Sequence, residues 1–347
     1  MNEMSRSLQS WQAAKSYLKQ NTFAQPLIHL VRTARRGKQT LRHKLWLARM
    51  ARQYSLITRR QFIRDLQLAI KTCSGYAAGK IGLSQQQWMY YEILRSRETD
   101  RETISEFETQ LKAHALRTGV FPQDPSFCLQ FNDFYMPHLK NIDCLGICYS
   151  RLEHELIESY GIKNKLIYYP NQEPDRSIPD KEDNCYLQYF RNKKLLLISP
   201  FSHLLRERST KEIFEGVWAK TGKKWFYPDR VDSVEFPYGF TAEGQTRFST
   251  VLELFKFITG EIDKKQFDIA LIAAGALAIP IASHVKNTGK IGIDLGGHLQ
   301  VLFGVIGQRW RQQEEWRENY FNGHWIDMPA RYRPREVDAG LRKGDYW

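Results

Sequence analysis

No apolar run in this chain is long enough to span a bilayer. The longest, Ile269 to Ala282, has 14 residues and contains Gly275 and Pro280, which suits a buried core segment. The N-terminus lacks an apolar core run, so no signal peptide is expected. Cysteine is scarce. Cys73, Cys128, Cys144, Cys148 and Cys185 are an odd number, without CxxC and without a companion histidine spacing for zinc. Cys144 and Cys148 are four apart in a strand-like run, on one side and too far apart to bridge. All five read as buried thiols of a reducing compartment. Neither GxGxxG nor P-loop spacing is present. A dehydrogenase is disfavoured, because the glycine fingerprint and the acid about 20 residues beyond it are both missing. There is no internal repeat, no low-complexity segment and no recognised nucleic-acid motif, so nucleic acid is an unlikely partner.

Acidic residues are almost absent from the first 64 positions, which hold 14 Lys or Arg and one acid, Glu3. The whole net charge of +13 therefore sits in this N-terminal fifth, and the rest of the chain is balanced. Helix formers at Leu8–Leu18, Pro26–Arg36 and Leu41–Tyr54 make residues 1–64 a basic helical arm. Such an arm can pack on the main domain, lie on an anionic membrane surface, or touch nucleic acid. The sequence leaves these open. The expected location is cytoplasmic, with the arm suited to the inner face of a membrane.

The remainder has ample material for a core, with 42% hydrophobic and 13% aromatic residues. Strands are expected at Gly75–Ile81, Ile142–Cys148, Lys165–Tyr169, Leu195–Ile198, Val231–Phe236, Phe267–Ala273 and Lys290–Leu295. A short extended run is expected at Trp225–Tyr227. Helices are expected at Gln61–Thr72, Ser84–Arg95, Ser150–Tyr160, Glu243–Ile262, Leu277–Thr288 and His298–Val305, with a helical hairpin over Arg95–Arg117. Loops are expected at Gly119–Pro137 and Asn171–Asn184. Ser84 and Gln87 form an S-x-x-Q capping box. Ser199 and Pro200 match an N-cap and a first helical position. Strand and helix alternate, so the fold is α/β: a mostly parallel sheet with helices on both faces. The main domain is expected over 65–310, with a tail, 311–347, packing back on it.

Two strands end in glycine, Gly275 after one and Gly296 with Gly297 after the other, and each leads into a helix. Such turns let backbone N–H groups approach an anion at the carboxyl ends of strands. They serve equally as tight turns in a core, and the residues alone leave both readings open. Lys80 and Arg309 can supply positive charge, or be a strand-end lysine and a helix-terminal cation. Asp294, beside the glycine pair, can be a base or a ribose ligand, or make a local turn hydrogen bond. His203 and His298 are further base candidates. Gln300 can read a base or sugar edge, or cap its own helix.

Four stretches, AAGKIGLSQ, LLLISPFSHLL, AAGALAIPIASHVKNTGK with IDLGGHLQVLFG and RW, and ENYFNGHWIDMP with VDAGLRKGDYW, occur in that order. Together they resemble the Rossmann-like glycosyltransferases of the GT-D type from bacterial surface-polysaccharide clusters, over about residues 74–347. The resemblance implies a glycosyltransferase that moves a sugar from a nucleotide diphosphate sugar, UDP-linked in first expectation, to a glycan or lipid-linked acceptor. It implies a donor site of Lys80, Gly82, Ser84, Ser199, Gly275, Gly296, Gly297, Gln300 and Arg309, with Asp294 and Gln85 as catalytic candidates. Better-understood relatives carry Asp-x-Glu after the first strand for a metal–diphosphate site. Here Leu83 and Gln85 stand in those places, so no metal ligand and no tightly bound cofactor are expected, and a divalent metal is in doubt. The alternative is a noncatalytic nucleotide-binding module or a scaffold of a polysaccharide assembly complex.

Overall fold

The computed structural model describes residues 54–97, 100–148, 150–173, 186–221, 227–338 and 346–347. The chain divides into two units, Met1–Tyr54 and Ser55–Trp347. The three helical pieces expected in the arm lie outside the described residues, as do Trp225 and Phe226, Cys185, and most of the loop expected at 171–184.

Ten residues expected in the arm, 55–64, belong to the second unit. Strand β1 (Leu56–Ile57) pairs in parallel with β4 (Lys165–Tyr168). Helix α1 (Arg59–Thr72) follows, closed at its N-terminus by a reciprocal Thr58–Gln61 capping box. Phe62, Ile63, Leu66 and Ala69 are buried on one face of it. Arg59, Arg60 and Arg64 thus ride on a core helix. Arg59 Nη1 donates to the Glu173 carbonyl at 2.6 Å.

The remaining strands are β2 (Tyr76–Lys80), β3 (Cys144–Ile147), β5 (Lys194–Ile198), β6 (Arg230–Val234), β7 (Ile269–Ile272) and β8 (Ile291–Asp294). They form an eight-stranded sheet in the order β1-β4-β3-β2-β8-β7-β5-β6, parallel throughout. The fold is α/β and Rossmann-like. Strand residues alternate between two covered faces. Tyr76, Ala78, Leu195, Leu197, Ile269 and Leu271 belong to one core cluster with Phe62 and Leu66 of α1. The opposite face carries Gly79 and Gly292. A Cβ on Gly79 would lie 3.0 Å from Ile279, and one on Gly292 2.9 Å from Ala282. Both neighbours belong to a helix, Ala278–Asn287, which packs against β2, β7 and β8.

Between β2 and β3 run α2 (Leu83–Ser96), α3 (Arg101–Thr118) and α4 (Pro125–Asn141). The two-helix hairpin expected over Arg95–Arg117 is instead one helix, α3, which packs back on α2. Helix α4 replaces the loop expected at 119–137. Asp124 caps it by accepting from Phe127 N at 2.8 Å, and Pro125 takes the first helical position, where its missing N–H costs nothing. The Pro, Phe and Asp composition that reads as a loop is here a helix start. Helix α5 (Arg151–Ser159), N-capped by Ser150, joins β3 to β4. The helix expected at Glu243–Ile262 is two, α6 (Ala242–Arg247) and α7 (Val251–Asp263), because Thr250 starts a new cap on Glu253 N. Helix α8 (Ala278–Asn287) joins β7 to β8, and α9 (His298–Leu302) follows β8. The segment beyond 310 pairs Ile326 with Val305 and places Trp316, Trp325 and Trp347 in the core cluster. Two cysteines depart from expectation: Cys128 and Cys144 are buried, but Cys73 and Cys148 are exposed.

Candidate functional site

In a parallel sheet all carboxyl ends share one edge, so the residues just after each strand converge there. A cavity of about 680 Å³ lies along this edge. Its wall is drawn from nearly every strand end: Tyr169 after β4, Cys148 after β3, Lys80 at the end of β2, Phe201 after β5, Phe236 after β6, Gly275 after β7 and Asp294 on β8. Of the expected site residues, Lys80, Gly82, Ser84, Gln85, Gly275, Asp294, Gly296, Gly297 and Arg309 are brought together here.

Ser199 and Gln300 are not among them. Both are fully buried behind the wall. Ser199 Oγ accepts from Phe201 N at 3.3 Å and shapes the turn after β5. The next helix, Ser202–Glu207, begins later than Pro200. Gln300 Nε2 donates to the carbonyls of Val305 and Tyr346 at 3.3 and 3.2 Å, so it holds the chain segments behind the site. His203 lies away from the cavity, ion-paired with Glu235 at 3.2 Å.

The turn after β2 is organised by Gln85. The Ser84–Gln87 box does not form. Helix α2 instead begins at Leu83 with Gly82 as its N-cap. Gln85 Oε1 accepts from Gly82 N, and Gln85 Nε2 donates to the Gly275 carbonyl at 3.3 Å. One buried amide thus ties the β2 turn to the β7 turn, which makes Gln85 a positioning residue. The same contacts decide how this turn suits a divalent cation. Leu83 is 64% exposed and has no ligand atom, and the Gln85 oxygen is already engaged. The turn does not fit a hard cation, which favours carboxylate oxygens.

The glycines divide by role. Gly275 and Gly296 have φ of +58° and +51°, in the left-handed region that favours glycine. Gly297 has φ −63°, so its small size serves clearance. A Cβ there would lie 2.5 Å from the Tyr346 ring and 2.9 Å from Trp310. Gly82 and Gly296 do not offer free N–H groups. Gly82 N is taken by Gln85, and Gly296 N donates to Asp294 Oδ1 at 2.9 Å and to the Ile272 carbonyl at 3.2 Å. The N–H groups of Gly275 and Gly297 make no hydrogen bond among the described residues.

Asp294 is the titratable centre. Burial raises its carboxyl from 3.8 to about 6, against the pull of the Lys80 ammonium and the backbone N–H groups of Gly296 and Lys80. Lys80 Nζ lies 3.6 Å from the centroid of the Tyr169 ring, a cation–π distance. Three cations line the cavity, Lys80, Arg117 and Arg309, and none is ion-paired among the described residues. His298 stands behind Glu173, with Nδ1 3.2 Å from Glu173 Oε1. Glu173 is 3% exposed and lines the cavity.

Arg117, Tyr169, Glu173 and Tyr346 were not visible as site residues in the sequence. Arg117 reads as surface charge on a hairpin and Glu173 as part of a polar loop. Only Tyr346 carried a signal, the Tyr-Trp of the tail motif.

The model of one family, the GT-D fold-like domain, matches residues 247–302. This segment is GT-D-like. It spans α7, β7, α8, β8 and α9, and so contributes Gly275, Asp294, Gly296 and Gly297 to the cavity. The match bears out the resemblance to GT-D type glycosyltransferases. Two solved structures are similar to stretches of this chain. One is a glycosyltransferase (DUF1792) from Streptococcus sanguinis, 12% identical, covering 72% of this chain and 83% of its own, with a TM-score of 0.34. The other is a selenomethionine-substituted domain of unknown function 1792, 12% identical, covering 80% of this chain and 85% of its own, with a TM-score of 0.37. No curated protein matches the chain.

Proposed function

We propose that this protein transfers a sugar from a nucleotide diphosphate sugar, UDP-linked in the first instance, to an acceptor hydroxyl. The observation that carries the reading is one cavity wall that joins Lys80 and Arg309, neither ion-paired among the described residues, to the free N–H groups of Gly275 and Gly297. Cations without ion-pair partners and unbonded N–H groups at strand ends suit a diphosphate. In the reaction the acceptor oxygen attacks the anomeric carbon as the bond from that carbon to the diphosphate oxygen breaks. The electron pair leaves with the diphosphate, where Lys80 and Arg309 offset the developing charge. The acceptor proton passes to the Asp294 carboxylate. The setting implied by the resemblance is surface-polysaccharide synthesis.

The turn at Leu83 and Gln85 favours a second reading, a nucleotide-binding module without turnover. A thermal-shift panel of UDP and nucleotide sugars, followed by a turnover assay, separates the two. Ligand at 100 times its dissociation constant adds about 2.7 kcal/mol, a shift of roughly 5–10 °C for a domain of this size. Absence of any shift at millimolar nucleotide would sink both readings, and a shift without turnover would select the module.

We also propose that the basic segment before Ser55 contacts an anionic membrane surface, from its charge alone. A chain beginning at Ser55 is expected to fold and to lose the full chain's binding to anionic liposomes. A chain beginning at Arg64 lacks β1, the Thr58 cap, Phe62 and Ile63. It is expected to lose about 4 kcal/mol or more, read as a lowered melting temperature or insolubility. Equal melting of the two chains would show that residues 55–63 are dispensable, and liposome binding by the Ser55 chain would remove the membrane role.

A further inference from the structure

Ile291 and Ile293 of β8 belong to the core cluster with α1. Side chains alternate along a strand, so Asp294 turns to the opposite face, under the layer of α2, α4 and α8. A Cβ on Gly79 would lie 3.3 Å from the Asp294 Cβ and 3.0 Å from Ile279. Ile279 therefore marks the level of Asp294 on α8. Helices α4 and α8 pack together, and both run away from the carboxyl edge, since each leads into the start of a strand. His138 of α4 meets Ser283 of α8 at 3.0 Å. One turn back along each helix stand Tyr135 and Ile279. Helical side chains lean toward the N-terminus, here the carboxyl edge, so the Tyr135 ring is carried toward Asp294.

Tyr135 is fully buried, and its hydroxyl has no hydrogen-bond partner among the described residues. The same holds for Nε1 of Trp88, on α2, whose ring meets Tyr135 edge-on at 5.1 Å. Two unpartnered donors in one buried contact are costly, because each forfeits its hydration. A buried water with two or more polar partners satisfies such groups. Burial raises the Tyr135 hydroxyl well above its ordinary range, and the Asp294 charge raises it further, so it stays protonated and can donate. Lys80 from β2 and Tyr169 after β4 are the other ionisable groups that interact with the Asp294 carboxyl. His284 and Lys286 of α8 are engaged by Asp263 and Asp143, and Tyr91 and Glu92 of α2 by Glu108 and Tyr160. Asp133 and Lys140 of α4 are exposed.

We propose that Tyr135 is a positioning residue for Asp294: its hydroxyl donates to a buried water, which donates to the carboxylate from behind the cavity and holds it in the charged form. The use of that carboxylate as a base rests on the transfer reading above, but the link to Tyr135 does not.

Tyr135→Phe tests the link, because it removes one oxygen and keeps the ring contacts to Trp88 and Phe131. Melting of the full chain is followed from pH 4 to pH 8 in wild type, Tyr135→Phe, Asp294→Asn and the double variant. The carboxyl ionises near about 6, so a donor to its charged form acts at pH 8 and not at pH 4. Tyr135→Phe should therefore lower Tm more at pH 8, and the difference should vanish in the Asp294→Asn background. The rising limb of activity should move up by about one pH unit, a tenfold loss below the limb, which is the scale of one charge-assisted hydrogen bond. An orphaned hydroxyl gives another result, a Tm unchanged or raised by the same amount at both pH values. That result, or a pH-dependent loss that persists without Asp294, would overturn the proposal. A pH-dependent loss that requires Asp294, in a protein that turns over no nucleotide sugar, would overturn the transfer reading and leave the link standing.

Discussion

Replacing Asp294 with asparagine is expected to lower kcat/KM by about 10²–10⁴-fold, the range for loss of a general base. The wild-type rate should rise with pH through about 6, where the buried carboxyl ionises, and the variant should lose that limb. Stability should move the other way. The folded-state value lies above 3.8, so between about 4 and 6 the folded chain holds a proton that the unfolded chain has released. In that window stability attributable to this group falls as pH rises. The gap between 3.8 and about 6 corresponds to about 3 kcal/mol of cost once the carboxylate is charged. The asparagine amide is neutral at every pH, and its oxygen can still accept from Gly296 N. Asp294→Asn is therefore expected to melt higher than wild type at pH 7 and to lose the advantage near pH 4. Paired pH profiles of activity and melting temperature check this. Wild-type activity in the asparagine variant would remove Asp294 as the base. No gain in melting temperature at neutral pH would show that its charge is better solvated than its burial indicates.

Gly275→Ala is expected to be among the most destabilising single-methyl additions in the protein. Its φ of +58° penalises any side chain, and a Cβ would lie 2.5 Å from the Thr118 carbonyl oxygen, which belongs to the backbone of α3. The left-handed conformation costs about 1 kcal/mol, and displacing the neighbouring backbone brings the total to about 3 kcal/mol or more. That is a fall of roughly 6–12 °C in Tm. Gly161→Ala is the internal comparison, because Gly161 has φ +59° with nothing within 4 Å of a Cβ. It should lose only the conformational part, roughly 2–4 °C. Nucleotide affinity should fall in the Gly275 variant alone, since the turn carries both a free N–H and the carbonyl that Gln85 grips. Equal melting temperatures for the two variants would mean that α3 yields easily at Thr118 and that the turn is not rigidly held.

Much of this protein is set by local chemistry that can be read along the chain. Short β-branched runs closed by glycine marked β7 and β8, because a buried parallel strand needs continuous apolar residues and its turn needs positive φ. The helices expected at Gln61–Thr72 and Ser150–Tyr160 were equally legible, and are α1 and α5. Where local signals are ambiguous, the reading failed for identifiable reasons. Asp124-Pro125 opens a helix and also suits a loop, and only the packing of Phe127, Phe131 and Tyr135 into the core selects the helix. Ser84 has the sequence of a cap, yet Gln85 takes Gly82 N because it can also reach Gly275, 190 positions away. Local sequence also placed Asp294 at a strand end beside glycine. Its raised pKa was not legible, because burial at the assembled sheet edge raises it and outweighs the opposing pull of Lys80, on a strand more than 200 residues earlier. The strand order settled the rest. Consecutive strands β4 and β5 lie apart in the sheet, with β3, β2, β8 and β7 between them. That crossing brings Tyr169, Glu173, Arg117 and Tyr346 to one edge with Lys80 and Asp294. No periodicity encodes such a meeting, since pairing between distant strands is chosen by the packing of the whole sheet rather than by neighbours in sequence.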